Sequence, residues 1–188
     1  MEGLKRHLRR QARTLAPPTD AESAAVVSHL EGLLAPLRPS LVLTYLALPD
    51  EVDLVALVAA LPSHRWAVTR TSLDGLTIHP LDSVMETHPF GIRQPVRESA
   101  EVPVTDVDVA LVPGRLFGPG GERLGRGAGL YDGLLPSLRP EALRIGVTVE
   151  RFVVDGGLPM GPHDVWMTHL VTEVGVRITQ PRPPLAAL

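Results

Sequence analysis

At 188 residues the chain has the length of one domain and enough material to bury a core. Its composition, 44% hydrophobic and 21% charged, is that of a soluble globular protein, and a net charge of −3 offers no basic footprint for nucleic acid. Cysteine is absent, which excludes disulfides, thiolate metal ligands and cysteine nucleophiles, and no apolar run approaches the ~20 residues that cross a bilayer.

Leu4, Leu8, Ala12 and Leu15 recur at helical spacing and predict an amphipathic helix over residues 3–15. Lys5, the sole lysine among 18 basic residues, and Arg9 lie four apart beside that stripe, so both can point at one ligand. The opening Met1–Arg10 segment has no signal-peptide apolar region, so a cytoplasmic location is expected. Pro17 and Pro18 end the helix, and Thr19 with Glu22 forms a capping-box pattern that opens a second one.

Leu41–Tyr45 reads as a buried strand, followed by a helix beginning near Glu51. By charge Asp50, Glu51 and Asp53 all suit that helix N-terminus, with Asp50 favoured as the cap. Trp66–Arg70, Leu76–His79, residues 107–112, Leu143–Val149 and Leu170–Val174 read as further strands, and residues 130–138 as a short helix. Residues 89–102 lack a regular pattern and read as a substrate-facing loop. Strands alternating with helices predict a single-domain, three-layer α/β fold, Rossmann-like, with a mostly parallel central sheet flanked by helices. The domain is expected to span residues 1–178, with 179–188 as a Pro-rich C-terminal tail.

The densest signal lies after the strand that ends at Val112. From Gly114 to Gly133 the chain carries eight of its 17 glycines, interleaved with Arg115, Arg123 and Arg126. A glycine-rich loop between a strand and a helix lets backbone N–H groups converge on an anion, and the helix adds its positive end. The common phosphate motifs do not fit. A Walker loop needs a lysine, and the dinucleotide fingerprint meets Leu130 where its third glycine belongs.

The segment instead resembles the signature of the 5-formyltetrahydrofolate cyclo-ligases, also called methenyltetrahydrofolate synthetases. Pro113, Gly114, Phe117, Gly121, Arg123, Leu124, Gly125, Gly127, Gly129, Tyr131 and Asp132 match it in register. Lys5 and Arg9 resemble the family's basic N-terminal helix, and Tyr45 followed by Glu51 and Asp53 its substrate-binding turn. Phe90–Pro95, His163–Asp164 and Val171–Glu173 are similar to later family segments. Gly118, Ala128, Leu130 and Gly133 depart from the pattern, where an aspartate, a glycine or lysine, an aromatic and an arginine are usual.

The resemblance implies an ATP-dependent ligase that closes 5-formyltetrahydrofolate into 5,10-methenyltetrahydrofolate through phosphoryl activation of the formyl oxygen. It implies Arg123 and Arg126 as the charge-neutralising catalytic residues. ATP would be held by Lys5, Arg9, Gly125, Arg126, Gly127, Ala128, Gly129 and Tyr131, and the folate by Glu51, Phe90 and Tyr131. Asp132 and Asp164 would hold Mg2+, although Asp132 equally suits a plain helix start, and Phe90 and Tyr131 could be core aromatics. The expected partner is a small folate, without nucleic acid or membrane, for a monomer or homodimer. The four departures leave a second expectation open: a non-catalytic or substrate-shifted relative that binds nucleotide or folate.

Overall fold

The structure, a computed structural model, describes residues 1–73, 75–88, 91–162 and 164–179. Helix α1 (Glu2–Ala12) buries only Ala12, whereas α2 (Asp20–Leu34) buries Val26, Val27, Leu30 and Leu34. The predicted capping box is formed. The Glu22 N–H donates to Thr19 Oγ1 at 3.2 Å, and the Thr19 N–H donates back to the Glu22 carboxylate at 2.8 Å.

Strands β1 (Leu41–Thr44), β2 (Arg65–Ser72), β3 (Gly75–Pro80), β6 (Val109–Val112), β9 (Leu143–Val147), β10 (His169–Thr172) and β11 (Gly175–Ile178) make one seven-stranded sheet. Its order is β11-β10-β9-β6-β1-β2-β3. The five inner strands are parallel, and the edge strands β3 and β11 run antiparallel to their neighbours. The four residues of β1 and the four of β6 are all buried, as expected of parallel strands covered on both faces. On one face Val42, Val109 and Leu111 pack with α2, α3 (Val55–Ala60) and Ala12 of α1. On the other, Leu41, Leu43 and Val112 pack with Phe117 and with α4 (Leu130–Leu134) and the 3-10 turn that follows it. The mostly parallel three-layer expectation therefore holds.

Several boundaries moved. The third helix begins at Val55 rather than near Glu51, because residues 48–51 form a turn in which the Glu51 N–H donates to the Leu48 carbonyl at 2.9 Å. Asp50 is consequently not a helix cap; the Asp53 carboxylate accepts the Val55 N–H at 2.9 Å instead. Residues 170–174 do not form one strand: β10 ends at Thr172, and a turn at residues 173–174 leads into β11. The irregular stretch after residue 89 contains β5 (Arg93–Pro95), paired antiparallel with β4 (Met85–Thr87). In the glycine segment β7 (Leu116–Phe117) pairs with β8 (Arg123–Leu124). At the start of the expected tail, Thr179 is buried and its N–H donates to the Thr168 carbonyl at 3.0 Å; residues 180–188 lie outside the described residues.

Two features of this topology position the site. From β1 the chain moves to β2 on one side and returns at β6 on the other, so a crevice opens at the C-terminal ends of β1 and β6, the usual ligand position in such sheets. The β7–β8 hairpin is anchored by Phe117, which is fully buried between Gly114 and Gly146. A Cβ on Gly146 would fall 2.6 Å from the Phe117 ring, and one on Gly114 would fall 2.8 Å from it.

Candidate active site

A cleft enclosing about 160 Å3 lies over these strand ends. Its walls are Tyr45 and Leu46 after β1, Val68, Thr69 and Thr71 of β2, Gly114 after β6, Ile92–Gln94, and the loop from Gly125 to Asp132. Gly127 (φ +105°) and Gly129 (φ +68°) adopt the left-handed backbone that side chains disfavour, which is why this loop requires glycine there. Among the described residues the N–H groups of Arg126, Gly127, Ala128 and Gly129 donate to no acceptor.

Arg126 reaches from the loop across to the turn after β1. Its Nε and Nη2 donate to Glu51 Oε1 at 3.0 and 2.8 Å, and Nη2 also donates to Asp50 Oδ1 at 2.5 Å. Glu51 is nearly buried, and its other oxygen accepts the Leu48 N–H at 3.1 Å. The tight turn therefore aims Glu51 at the loop.

Arg123 lies beneath the loop with its side chain only 5% exposed. Nη2 pairs with Asp132, Nη1 reaches the Pro113 carbonyl at 3.5 Å, and the guanidinium carbon lies 5.6 Å from the centre of the Tyr131 ring. The Arg123 Nε is buried without an acceptor. Burial pushes the Arg123 guanidinium below its ordinary pKa, opposed by Asp132, Tyr131 and Asp164. Burial likewise pushes the Tyr131 hydroxyl up to about 12, despite a hydrogen bond with Thr69. Tyr131 thus meets the cleft as a neutral phenol.

The α1 residues approach the same loop without lining the cleft. Arg9 Nε donates to the Gly125 carbonyl at 3.0 Å, and its guanidinium lies 3.4 Å from where a Gly127 Cβ would be. Lys5 pairs with Asp164, which also accepts the Gly161 N–H at 2.6 Å. Burial raises the Asp164 pKa, but the Gly161 N–H, Lys5 and Arg123 outweigh it and hold the carboxyl below its ordinary range.

The structure thus brings Glu51, Arg123, Gly125, Arg126, Gly127, Ala128, Gly129, Tyr131 and Asp132 to one cleft. It places Lys5, Arg9 and Asp164 outside the lining, with Arg9 against the loop and Asp164 within the electrostatic reach of Arg123. Phe90 lies outside the described residues. Both proposed metal carboxylates are engaged by cations, and no group of three or more His, Asp or Glu that could hold a metal occurs among the described residues.

The expected substrate-facing loop over residues 89–102 does supply Ile92, Arg93 and Gln94 to the lining, though neither Arg93 nor Gln94 is singled out by the sequence, and Thr69 is missed. Gln94 is buried, with its carbonyl accepting the Thr71 N–H at 3.2 Å and its amide donating to Glu86 at 3.0 Å. No periodicity marks such contacts, because hairpin pairing rather than chain neighbourhood makes them. Gly118 sits off the cleft, and a Cβ there would fall 2.3 Å from a Glu122 carboxylate oxygen. Glu122 therefore already fills the space that an aspartate at 118 would need.

The sequence pattern of the 5-formyltetrahydrofolate cyclo-ligase family matches residues 2–173. A 5-formyltetrahydrofolate cyclo-ligase of Mycolicibacterium smegmatis is 41% identical over 85 residues, covering 44% of this chain and 43% of that protein. The mitochondrial 5-formyltetrahydrofolate cyclo-ligase of Arabidopsis thaliana is 31% identical over 109 residues, covering 53% and 39%. The chain thus aligns with less than half the length of either relative. The NMR structure of Aquifex aeolicus 5,10-methenyltetrahydrofolate synthetase superimposes with a TM-score of 0.77 at 27% identity, covering 99% of this chain and 96% of the other. A Mycoplasma pneumoniae 5,10-methenyltetrahydrofolate synthetase shares the fold with a TM-score of 0.70 at 17% identity, covering 92% and 98%. With a family match running through α1, the glycine loop and β10, the chain belongs to the 5-formyltetrahydrofolate cyclo-ligase family.

Proposed function

We propose that this chain is a single-domain, cytoplasmic, ATP-dependent ligase that converts 5-formyltetrahydrofolate into 5,10-methenyltetrahydrofolate, releasing ADP and phosphate. The observation that carries this reading is the Arg126 bridge. One guanidinium from the glycine-rich loop rests on Glu51 over a cleft at the strand ends, so the proposed phosphate and substrate sides would share one ion pair.

The enclosed space is smaller than the roughly 300–1,000 Å3 typical of whole-ligand pockets, which suits a ring-sized portion of the folate with the rest outside. Glu51 would turn from Arg126 to hydrogen-bond the folate ring or its formyl group. Arg126, released, would then face the transferring phosphoryl group. The N–H groups of residues 126–129 would donate to phosphate oxygens, with Lys5 and Arg9 approaching from α1. Phosphoryl transfer needs positioning and charge neutralisation more than a protein nucleophile, in keeping with a cysteine-free chain.

The formyl oxygen takes the γ-phosphoryl group and ADP leaves. N10 then attacks the activated carbon and loses its proton. The carbon–oxygen bond breaks, and phosphate departs with the former formyl oxygen.

The donor set fits Mg2+ only in the way that ion usually binds to nucleotides, with one or two carboxylates, Asp132 and Asp164, completed by phosphate oxygens and water. Bound there, the ion would neutralise charge on the β- and γ-phosphates. Arg123 and Lys5 pair with these carboxylates in this structure, which keeps both cations beside the positions where phosphate oxygens would lie.

Incubation of the protein with 5-formyltetrahydrofolate and Mg-ATP tests the proposal. Methenyltetrahydrofolate absorbance should rise with stoichiometric ADP. No product at high enzyme concentration would refute it.

A further inference from the structure

Arg115 belongs to the glycine segment, yet the roles set out above do not use it. It stands at the start of the β7–β8 hairpin, where its N–H donates to the Leu124 carbonyl at 2.7 Å. Its side chain is largely buried, and Nη1 pairs with Asp50 Oδ2. The other oxygen of Asp50 holds Arg126, which in turn holds Glu51. The four residues form an alternating row, Arg115–Asp50–Arg126–Glu51, joining the hairpin base to the cleft.

We propose that Arg115 is a positioning residue for this reaction, acting through Asp50 to keep Arg126 on Glu51 and over the cleft. This rests on the function proposed above. Asp50 shares its two oxygens between two arginines, so each receives one. With Oδ2 occupied, Asp50 cannot take Arg126 in the two-pronged arrangement that carboxylates and guanidinium groups favour. Arg126 keeps Nε and Nη2 on Glu51 instead. Without Arg115, Asp50 has a free oxygen beside Arg126 and nothing to restrain its rotation. Asp50 then captures Arg126 through both oxygens and draws it from Glu51, away from where a phosphoryl group would pass. Among the described residues Glu51 is left nearly buried with the Leu48 N–H, at 3.1 Å, as its remaining partner. Burial, with the nearby charges of Arg126 and Arg13, lowers the Arg115 pKa, which is consistent with two guanidinium groups crowded around one carboxylate.

A double-mutant cycle separates this role from a merely structural one. R115L should lower kcat by about tenfold, the scale of one displaced charge-assisted hydrogen bond, with a smaller change in the KM for 5-formyltetrahydrofolate. R115K, which keeps a charge for Asp50 Oδ2, should recover most of that loss. In a D50N background, where residue 50 no longer competes as a carboxylate, R115L should cost less than threefold more. The Arg126 Nε–H resonance should shift in R115L, without any substrate present, and return toward its wild-type position in R115L/D50N.

Equal losses from R115L with and without D50N, or an unshifted Arg126 resonance, would overturn the proposal. Wild-type protein that makes no methenyltetrahydrofolate would instead refute the assigned reaction. The resonance measurement would still decide whether Arg115 positions Arg126. If R115L fails to fold, R115Q replaces it in the same cycle, with R115K still the variant that recovers the loss.

Discussion

The Arg123–Asp132 pair predicts that losing the carboxylate destabilises the fold more than losing the arginine. The two side chains are unequally buried, Arg123 at 5% exposure and Asp132 at 38%. Replacing Asp132 with alanine leaves a buried guanidinium whose Nε has no acceptor and whose Nη1 has only a 3.5 Å contact with Pro113. Breaking a buried pair in this way costs about 3 kcal/mol. Replacing Arg123 with methionine removes the buried charge and leaves a carboxylate that water can reach. An apolar replacement of similar shape should cost about 1 kcal/mol or less. For a chain of this size each kcal/mol moves Tm by about 2–4 °C, so D132A should lose roughly 6–12 °C and R123M no more than about 4 °C. Both variants should lose most ligase activity, R123M as a well-folded protein. Thermal unfolding by circular dichroism, read beside turnover, checks the order. R123M less stable than D132A would refute the reasoning, because the buried charge would then be a net source of stability.

Gly146→Ala should cost about 1–3 kcal/mol, because its Cβ would press the fully buried Phe117 ring. F117L in the same background should recover part of that loss, and additive losses in the two variants would contradict the contact. Alkaline titration reads the tyrosines directly, since the chain has only Tyr45 and Tyr131. Burial raises the pKa of both, Tyr131 to about 12 and Tyr45 well above its ordinary value. A raised acid pKa means folding favours the protonated phenol. The contribution is therefore complete below pH ~10 and disappears as pH rises through the folded value. Tyrosinate absorbance appearing near pH 10 while the protein remains folded would show that at least one ring is not buried as described.

The sheet was legible because its inner strands are short apolar runs bounded by turns, and because burial on both faces removes the alternation that would otherwise confuse the reading. The capping box at Thr19 and Glu22 was legible because it is purely local. The short hairpins were not, since two or three residues carry no period. The helix start near Glu51 was misplaced for a related reason. Asp50, Glu51 and Asp53 all suit a helix N-terminus by charge, and only the tertiary ion pairs with Arg115 and Arg126 show that Asp50 and Glu51 serve another purpose. In the candidate site, glycine spacing predicted the loop, but the Arg126–Glu51 contact joins residues 75 apart in sequence. Gly118 read as a lost polar group, and three-dimensional proximity to Glu122 gives it a packing reason instead.

The central claim is that the cleft activates a formyl oxygen by phosphorylating it. Oxygen-18 placed in the formyl group of 5-formyltetrahydrofolate, followed by mass analysis of the released phosphate, tests this most directly. One labelled oxygen per phosphate, with one ADP and one methenyltetrahydrofolate formed, is the predicted result. Methenyltetrahydrofolate formed with unlabelled phosphate, or without ADP, would contradict it.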